Sequence, residues 1–218
     1  YPHDRPDEKE FRVRLLQDVR GILDRYGEDG PAFHLAGNTV TNVSLSRYVQ
    51  DDVKTFIPLT YIFISVVIWL FFRNARLTVL ALVNISVCVG STMGFMAVMG
   101  IAMHNVTSVV PSLVMALALA DTVHIFSSLD TKVLGLFPGP REALSHILGK
   151  VFIPCFLTTL TTAVGFLSLA VSSIPPIREF AYVSSMGMVF EFFFSFVLLP
   201  PLLLLFNPGK IYREMGRE

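Results

Sequence analysis

Residues 107–128 read TSVVPSLVMALALADTVHIFSS. The first fourteen carry no charge; Asp121 then appears, and His124 follows one turn later on the same helical face. A run this long and apolar can cross a bilayer as a helix. Inserting a carboxyl group there costs about 3 kcal/mol, so such residues mark function far more often than packing. Asp121 is therefore the candidate functional acid. The plainer alternative is a structural hydrogen bond to a neighbouring helix.

Composition supports a membrane setting for most of the chain. Of 218 residues, 53% are apolar and 16% charged, and the mean hydropathy is positive. Residues 1–55 hold 8 of the 17 Lys and Arg and 10 of the 17 Asp and Glu. The first quarter thus reads as water-soluble and the remainder as polytopic. Zero net charge argues against a nucleic-acid partner. Cys88 and Cys155 lie in apolar runs and read as packing residues, with no disulfide between them. The chain opens on Tyr1 with no signal-peptide pattern, which suggests a piece of a longer protein.

Residues 8–26 place Phe11, Leu15, Val19, Ile22 and Leu23 on one helical face, with Gly27 as a C-cap. AFHLAG at 32–37 suits a short strand. Together they predict the end of an extracytoplasmic α/β domain over 1–55, with residues 41–54 as an amphipathic connector. Five spans follow, at 56–72, 77–102, 107–128, 151–174 and 181–206. Tyr61 and Trp69 are interface anchors for the first. Gly90 and Gly94 in the second, and Gly165 in the fourth, are helix-packing residues. Pro111 predicts a bend in the third span, and Pro200–Pro201 an interruption of the fifth. The fold class is an all-α polytopic membrane bundle preceded by a short α/β segment.

Basic residues fix the orientation. Arg73 and Arg76, then Lys132, Arg141 and Lys150, then Lys210, Arg213 and Arg217 fall on one side under strict alternation. That side is cytoplasmic. Residues 1–55 then lie outside the inner (plasma) membrane, 140–150 forms an amphipathic helix on its inner surface, and 207–218 is a cytoplasmic tail.

Two further spans carry polar side chains. Thr158, Thr162, Gly165, Ser168 and Ser172 recur at helical spacing in the fourth. Either they pack small and bond to their own backbone, or Thr158 and Thr162 line a proton path. Glu191 sits mid-way along the fifth, sharing a face with Ser184, Gly187, Met188 and Ser195. It is either a neutral, structural acid or a second proton-binding group. No Lys or Arg lies inside any expected span, so His124 is the sole cation near Asp121. His124 itself fits a relay or a residue at the membrane boundary. No P-loop is present, which excludes a standard ATP motor. A second membrane aspartate for intramembrane proteolysis is missing as well. Asp121 with His124 is too small a set for a metal. No enzymatic activity, metal or cofactor is expected.

ALALADTVHIF, FLTTLTTAVGFLSLAVSSIPPIREFAYVSSMG and GNTVTNVSLSRYVQDDVKTFIPLTY together resemble the resistance–nodulation–division (RND) superfamily. The likeness is to exporters of the "mycobacterial membrane protein large" type and to Patched-like and sterol-sensing membrane domains, over about residues 35–206. It implies the end of a first porter domain plus membrane helices two to six of twelve. The first helix and a second half would lie outside this chain. Asp121 matches the family's fourth-helix acid, which exchanges protons, although Thr122 stands where many relatives carry a second acid or a tyrosine. The implied activity is proton-driven export of a hydrophobic or amphiphilic, lipid-like substrate. The implied partners are membrane lipids, that substrate, the second half, and a further copy or a periplasmic protein. The competing class is a sterol- or lipid-sensing domain, or a Sec-type accessory, that transports no small molecule.

Overall fold

Apolar runs separated by short turns set the architecture, and the turn chemistry decides where each helix stops. The computed structural model describes residues 6–27, 35–129 and 137–206. The chain divides into two compact units, Tyr1–Asp52 and Val53–Glu218.

In the first unit, α1 runs Pro6–Gly27. Phe11, Leu15 and Ile22 of its expected apolar face are exposed. The first half of the strand expected at 32–37 lies outside the described residues; its second half, 35–37, is irregular and leads into α2, Asn38–Phe72. No strand occurs among the described residues.

In the second unit, five helical stretches are long and apolar enough to cross a membrane: Val53–Phe72, Ala75–Val98, Thr107–Ser128, Pro140–Val171 and Pro175–Leu205. The helices are α3 (Ala75–Val98), α4 (Val110–Ser128), α5 (Pro140–Ser168), α6 (Pro175–Val197) and α7 (Leu199–Leu205). Asn74 starts α3, its Oδ1 accepting from the Arg76 and Leu77 amides at 2.9 and 3.4 Å. Gly100 ends it at φ +67°. Its N–H reaches the Ala97 carbonyl and the Ile101 N–H reaches Met96, which is the Schellman pattern. The second span therefore stops at Val98, short of the expected 102.

Three other boundaries differ from expectation. Pro111 opens α4 after a single 3-10 turn at Thr107–Val109 and does not bend it; a proline in the first turn loses no hydrogen bond. Residues 140–150 are the opening turns of α5, continuous with the fourth span, and not a separate helix. The fifth span likewise begins earlier than the expected 181, because α6 starts at Pro175. The interruption expected at Pro200–Pro201 is present: α6 ends at Val197 and α7 restarts with proline in its first turn. The tail after residue 206 lies outside the described residues.

α6 packs on α3, α4 and α5, and α3 packs on α4. Leu80, Ala81 and Ile85 of α3, Val114, Met115 and Ala118 of α4, and Val183 and Met188 of α6 form the buried centre. Tyr61 reaches inward from α2, its hydroxyl 3.0 Å from that of Ser86 on α3, whereas Trp69 stays exposed. Among the described glycines, Gly187 is the most closely surrounded. A Cβ there would lie 2.9 Å from Val114 Cγ2 and 3.1 Å from Thr92 Cγ2. At Gly90, Gly94 and Gly165, by contrast, a Cβ would meet nothing within 4 Å. No described helix of this chain packs on those three glycines. Their spacing permits close contact but does not say which face receives it.

Candidate functional site

The i, i+3 spacing in α4 splits the two expected residues between environments. Asp121 is 6% exposed and Thr122 fully buried, while His124 is exposed. Asp121 lines a cavity of about 350 Å³ between α4, α5 and α6. The same wall receives Glu191 from α6, His124 from α4, and Lys150, Cys155, Thr158 and Thr162 from α5. The Asp121 carboxyl lies beside both the Cys155 thiol and the Glu191 carboxyl. Two acids well apart in the sequence thus face one another in an apolar interior.

The α6 face expected around Glu191 is buried as a set: Ser184, Gly187, Met188, Glu191 and Ser195. Ser195 Oγ donates to Glu191 Oε1 at 3.0 Å. Asn84 of α3 completes the cluster, its Nδ2 donating to Ser195 Oγ at 3.1 Å and to Thr122 Oγ1 at 3.4 Å. Asn84 Oδ1, Asp121 Oδ2 and Ser184 Oγ are buried without a hydrogen-bond partner among the described residues. Each such atom costs about 1–3 kcal/mol. A cluster of this expense in a helix core points to a role beyond packing.

The small-residue stripe of the fourth span divides. Thr158 and Thr162 reach the cavity, although Thr158 Oγ1 also donates to the Pro154 carbonyl at 3.0 Å. Gly165 and Ser168 are exposed, and Ser168 Oγ bonds back to the Gly165 carbonyl. Pro154 stands inside α5 and, having no N–H, leaves the Lys150 carbonyl without its usual helical donor.

Sequence reasoning missed Asn84, Cys155 and Lys150. A carboxamide in the middle of the apolar α3 was the available signal for Asn84. Lys150 corrects the expectation that His124 is the sole cation near Asp121. Because α5 runs unbroken from Pro140, Lys150 lies one turn before Pro154 on the cavity wall and not at the end of a separate surface helix. Cys88 and Cys155 are both buried and unbridged. Among the described residues, no three His, Cys, Asp or Glu side chains are grouped as a metal would require.

Residues 73–206 match the family described as the sterol-sensing domain of SREBP cleavage-activation, and residues 8–123 match the MMPL family. Among curated relatives, the chain is similar to the NPC1-like intracellular cholesterol transporter 1 of Mus musculus, at 32% identity over 175 residues. It is 24% identical over 208 residues to the protein patched homolog 1 of Caenorhabditis elegans. It is also 24% identical over 200 residues to the putative membrane protein MJ1562 of Methanocaldococcus jannaschii. These alignments cover 74%, 94% and 91% of this chain, but 13%, 14% and 51% of the respective relatives. Both family matches extend over more than half of the residues, and they overlap on α3 and most of α4, where Asn84 and Asp121 stand. The chain therefore belongs to the MMPL and sterol-sensing families, in the Patched-like branch of the RND superfamily, and is a multi-pass membrane protein.

Proposed function

We propose that this chain is the proton-coupling part of an RND-type exporter of a hydrophobic or amphiphilic, lipid-like substrate, with Asp121 as the coupling acid. The observation that carries the reading is the meeting of Asp121 and Glu191 at one cavity from two different helices. Two carboxylates in an apolar interior repel strongly, so the pair binds a proton as a unit. Loading the proton removes the repulsion between α4 and α6 and losing it restores the repulsion, which biases two packings of the bundle. Lys150 and His124 line the same cavity, where the His124 imidazole fits a proton relay. The role is transport and not catalysis of a covalent reaction. The assembly sits in the inner membrane, with residues 1–55 outside, a second half beside the bundle, and a further copy or a periplasmic protein as partner.

The matching sterol-sensing family favours a second reading, in which the same bundle binds a lipid and regulates a partner without moving it. Vesicles containing the intact protein separate the two. Export of a fluorescent lipid driven by an imposed proton gradient, and lost when the gradient is collapsed, is the expected result. Lipid binding with no gradient-dependent flux would favour sensing instead. In the same assay Glu191→Gln lowers flux by less than Asp121→Asn, because Glu191 already has the Ser195 donor while Asp121 Oδ2 has none. The reverse order would move the coupling acid to α6.

A further inference from the structure

We infer that Asn84 is a positioning residue for the Asp121–Glu191 pair, acting through the Ser195 hydroxyl, which it turns onto Glu191. The inference rests on the reading of that pair as the proton-binding unit.

Several hydroxyls in the bundle bond back to the carbonyl four residues earlier, while Ser168 bonds three back, Ser185 crosses to the Ala163 carbonyl and Ser184 Oγ has no partner among the described residues. Ser65 bonds to the Tyr61 carbonyl, Ser86 to Leu82, Thr92 to Cys88 and Thr158 to Pro154. Ser195 departs from that habit, since its hydrogen goes to the side chain of Glu191, at Oε1, 3.0 Å away. The reason lies on α3. The Asn84 NH₂ can only donate, and it donates to Ser195 Oγ at 3.1 Å. Ser195 must then accept on its oxygen, which leaves its hydrogen for the carboxylate. The second proton of the same amide reaches Thr122, the residue after Asp121, at 3.4 Å. One side chain on α3 thereby ties together the turns of α4 and α6 that carry the two acids.

The amide also has a buried carbonyl oxygen, Asn84 Oδ1, with no partner among the described residues. That oxygen gives the chain a reverse direction. If Glu191 takes up the proton, its O–H donates to Ser195 Oγ. The Ser195 hydrogen is then released and finds an acceptor once the amide turns over to present Oδ1. No other uncharged side chain of this size offers a donor and an acceptor that exchange places by rotation. Asn84 is thus matched to a neighbour that alternates between acceptor and donor.

The titratable groups around the pair are Cys88 on α3, His124 on α4, and Lys150 and Cys155 on α5. None of them bonds to Ser195 among the described hydrogen bonds. The test is the pH profile of gradient-driven lipid flux in vesicles of the intact protein. Asn84→Ala and Ser195→Ala are each expected to move the midpoint by about half a pH unit or more, in the same direction. The substrate concentration giving half-maximal flux stays unchanged, and the double variant moves the midpoint no further than Ser195→Ala alone. Flux lowered equally at every pH, or shifts that add in the double variant, would overturn the positioning role. Should Asn84→Ala not fold, Ser195→Ala and Asn84→Leu carry the comparison; Leu is similar in size, adds no charge and lacks the NH₂, and must also shift the midpoint. If Asp121→Asn leaves flux intact, the proton-binding reading falls and takes this inference with it. If Asp121→Asn abolishes flux while the Asn84 and Ser195 variants keep the wild-type midpoint, the positioning role alone falls.

Discussion

Asp121→Asn reduces gradient-driven flux to the level of protein-free vesicles while the bundle stays folded. The substitution keeps shape and polarity at a site only 6% exposed, so packing around Leu117 and Met188 on the cavity wall is preserved. What is lost is the capacity to bind and release a proton, because an amide does neither at any physiological pH. Glu191 remains, but a single acid beside a neutral amide lacks the like-charge partner whose repulsion converts proton loss into helix movement. A variant with wild-type thermal stability and no flux is the expected pairing. Full flux from that variant would remove Asp121 from the mechanism.

Gly187→Leu abolishes the folded bundle, and it is the largest stability effect expected from one substitution. At this residue α6 has side chains of both α3 and α4 packed against its backbone. Even an alanine Cβ would stand 2.9 Å from Val114 Cγ2 and 3.1 Å from Thr92 Cγ2. Val114 and Thr92 are short, β-branched and fully packed, so neither can swing aside within its rotamers. Alanine therefore costs about 1–3 kcal/mol, and leucine forces the helices apart. Gly187 is also one turn before Glu191, so any displacement moves an acid of the site. Thermal unfolding in detergent measures this, with Gly165→Leu as the control, since a Cβ at Gly165 meets nothing within 4 Å. A Gly187→Leu protein that unfolds at the wild-type temperature would contradict the described junction of α3, α4 and α6.

These two residues mark what the sequence made legible. Asp121 stood out because a charge in a long apolar run is expensive wherever the helix packs. The five spans and the break at Pro200–Pro201 were readable for a similar reason, since apolar length and proline chemistry are local, whereas the stop at Gly100 was not, because apolar residues run on past it to Met103. Glu191 and its face were readable from the 3.6-residue period alone. Gly187 was seen as part of that face, yet Gly90, Gly94 and Gly165 looked better suited to close contact. Periodicity shows which residues share a face but not which face meets another helix. Lys150 falls at the end of the surface helix expected over 140–150, whereas the structure runs a single helix from Pro140 through the fourth span. Asn84 passed unnoticed because one carboxamide in an apolar helix resembles a tolerated exception. Its importance lies in Thr122 and Ser195, both distant in sequence and contributed by two other helices.

Infrared difference spectroscopy of the reconstituted protein across a pH step observes a buried carboxylic acid directly, through its C=O stretch. Wild type is expected to show a band that appears on acidification, disappears in Asp121→Asn, and survives with altered position in Glu191→Gln. A titrating band unchanged by Asp121→Asn, or no titrating carboxyl band at all, would contradict proton uptake at this helix.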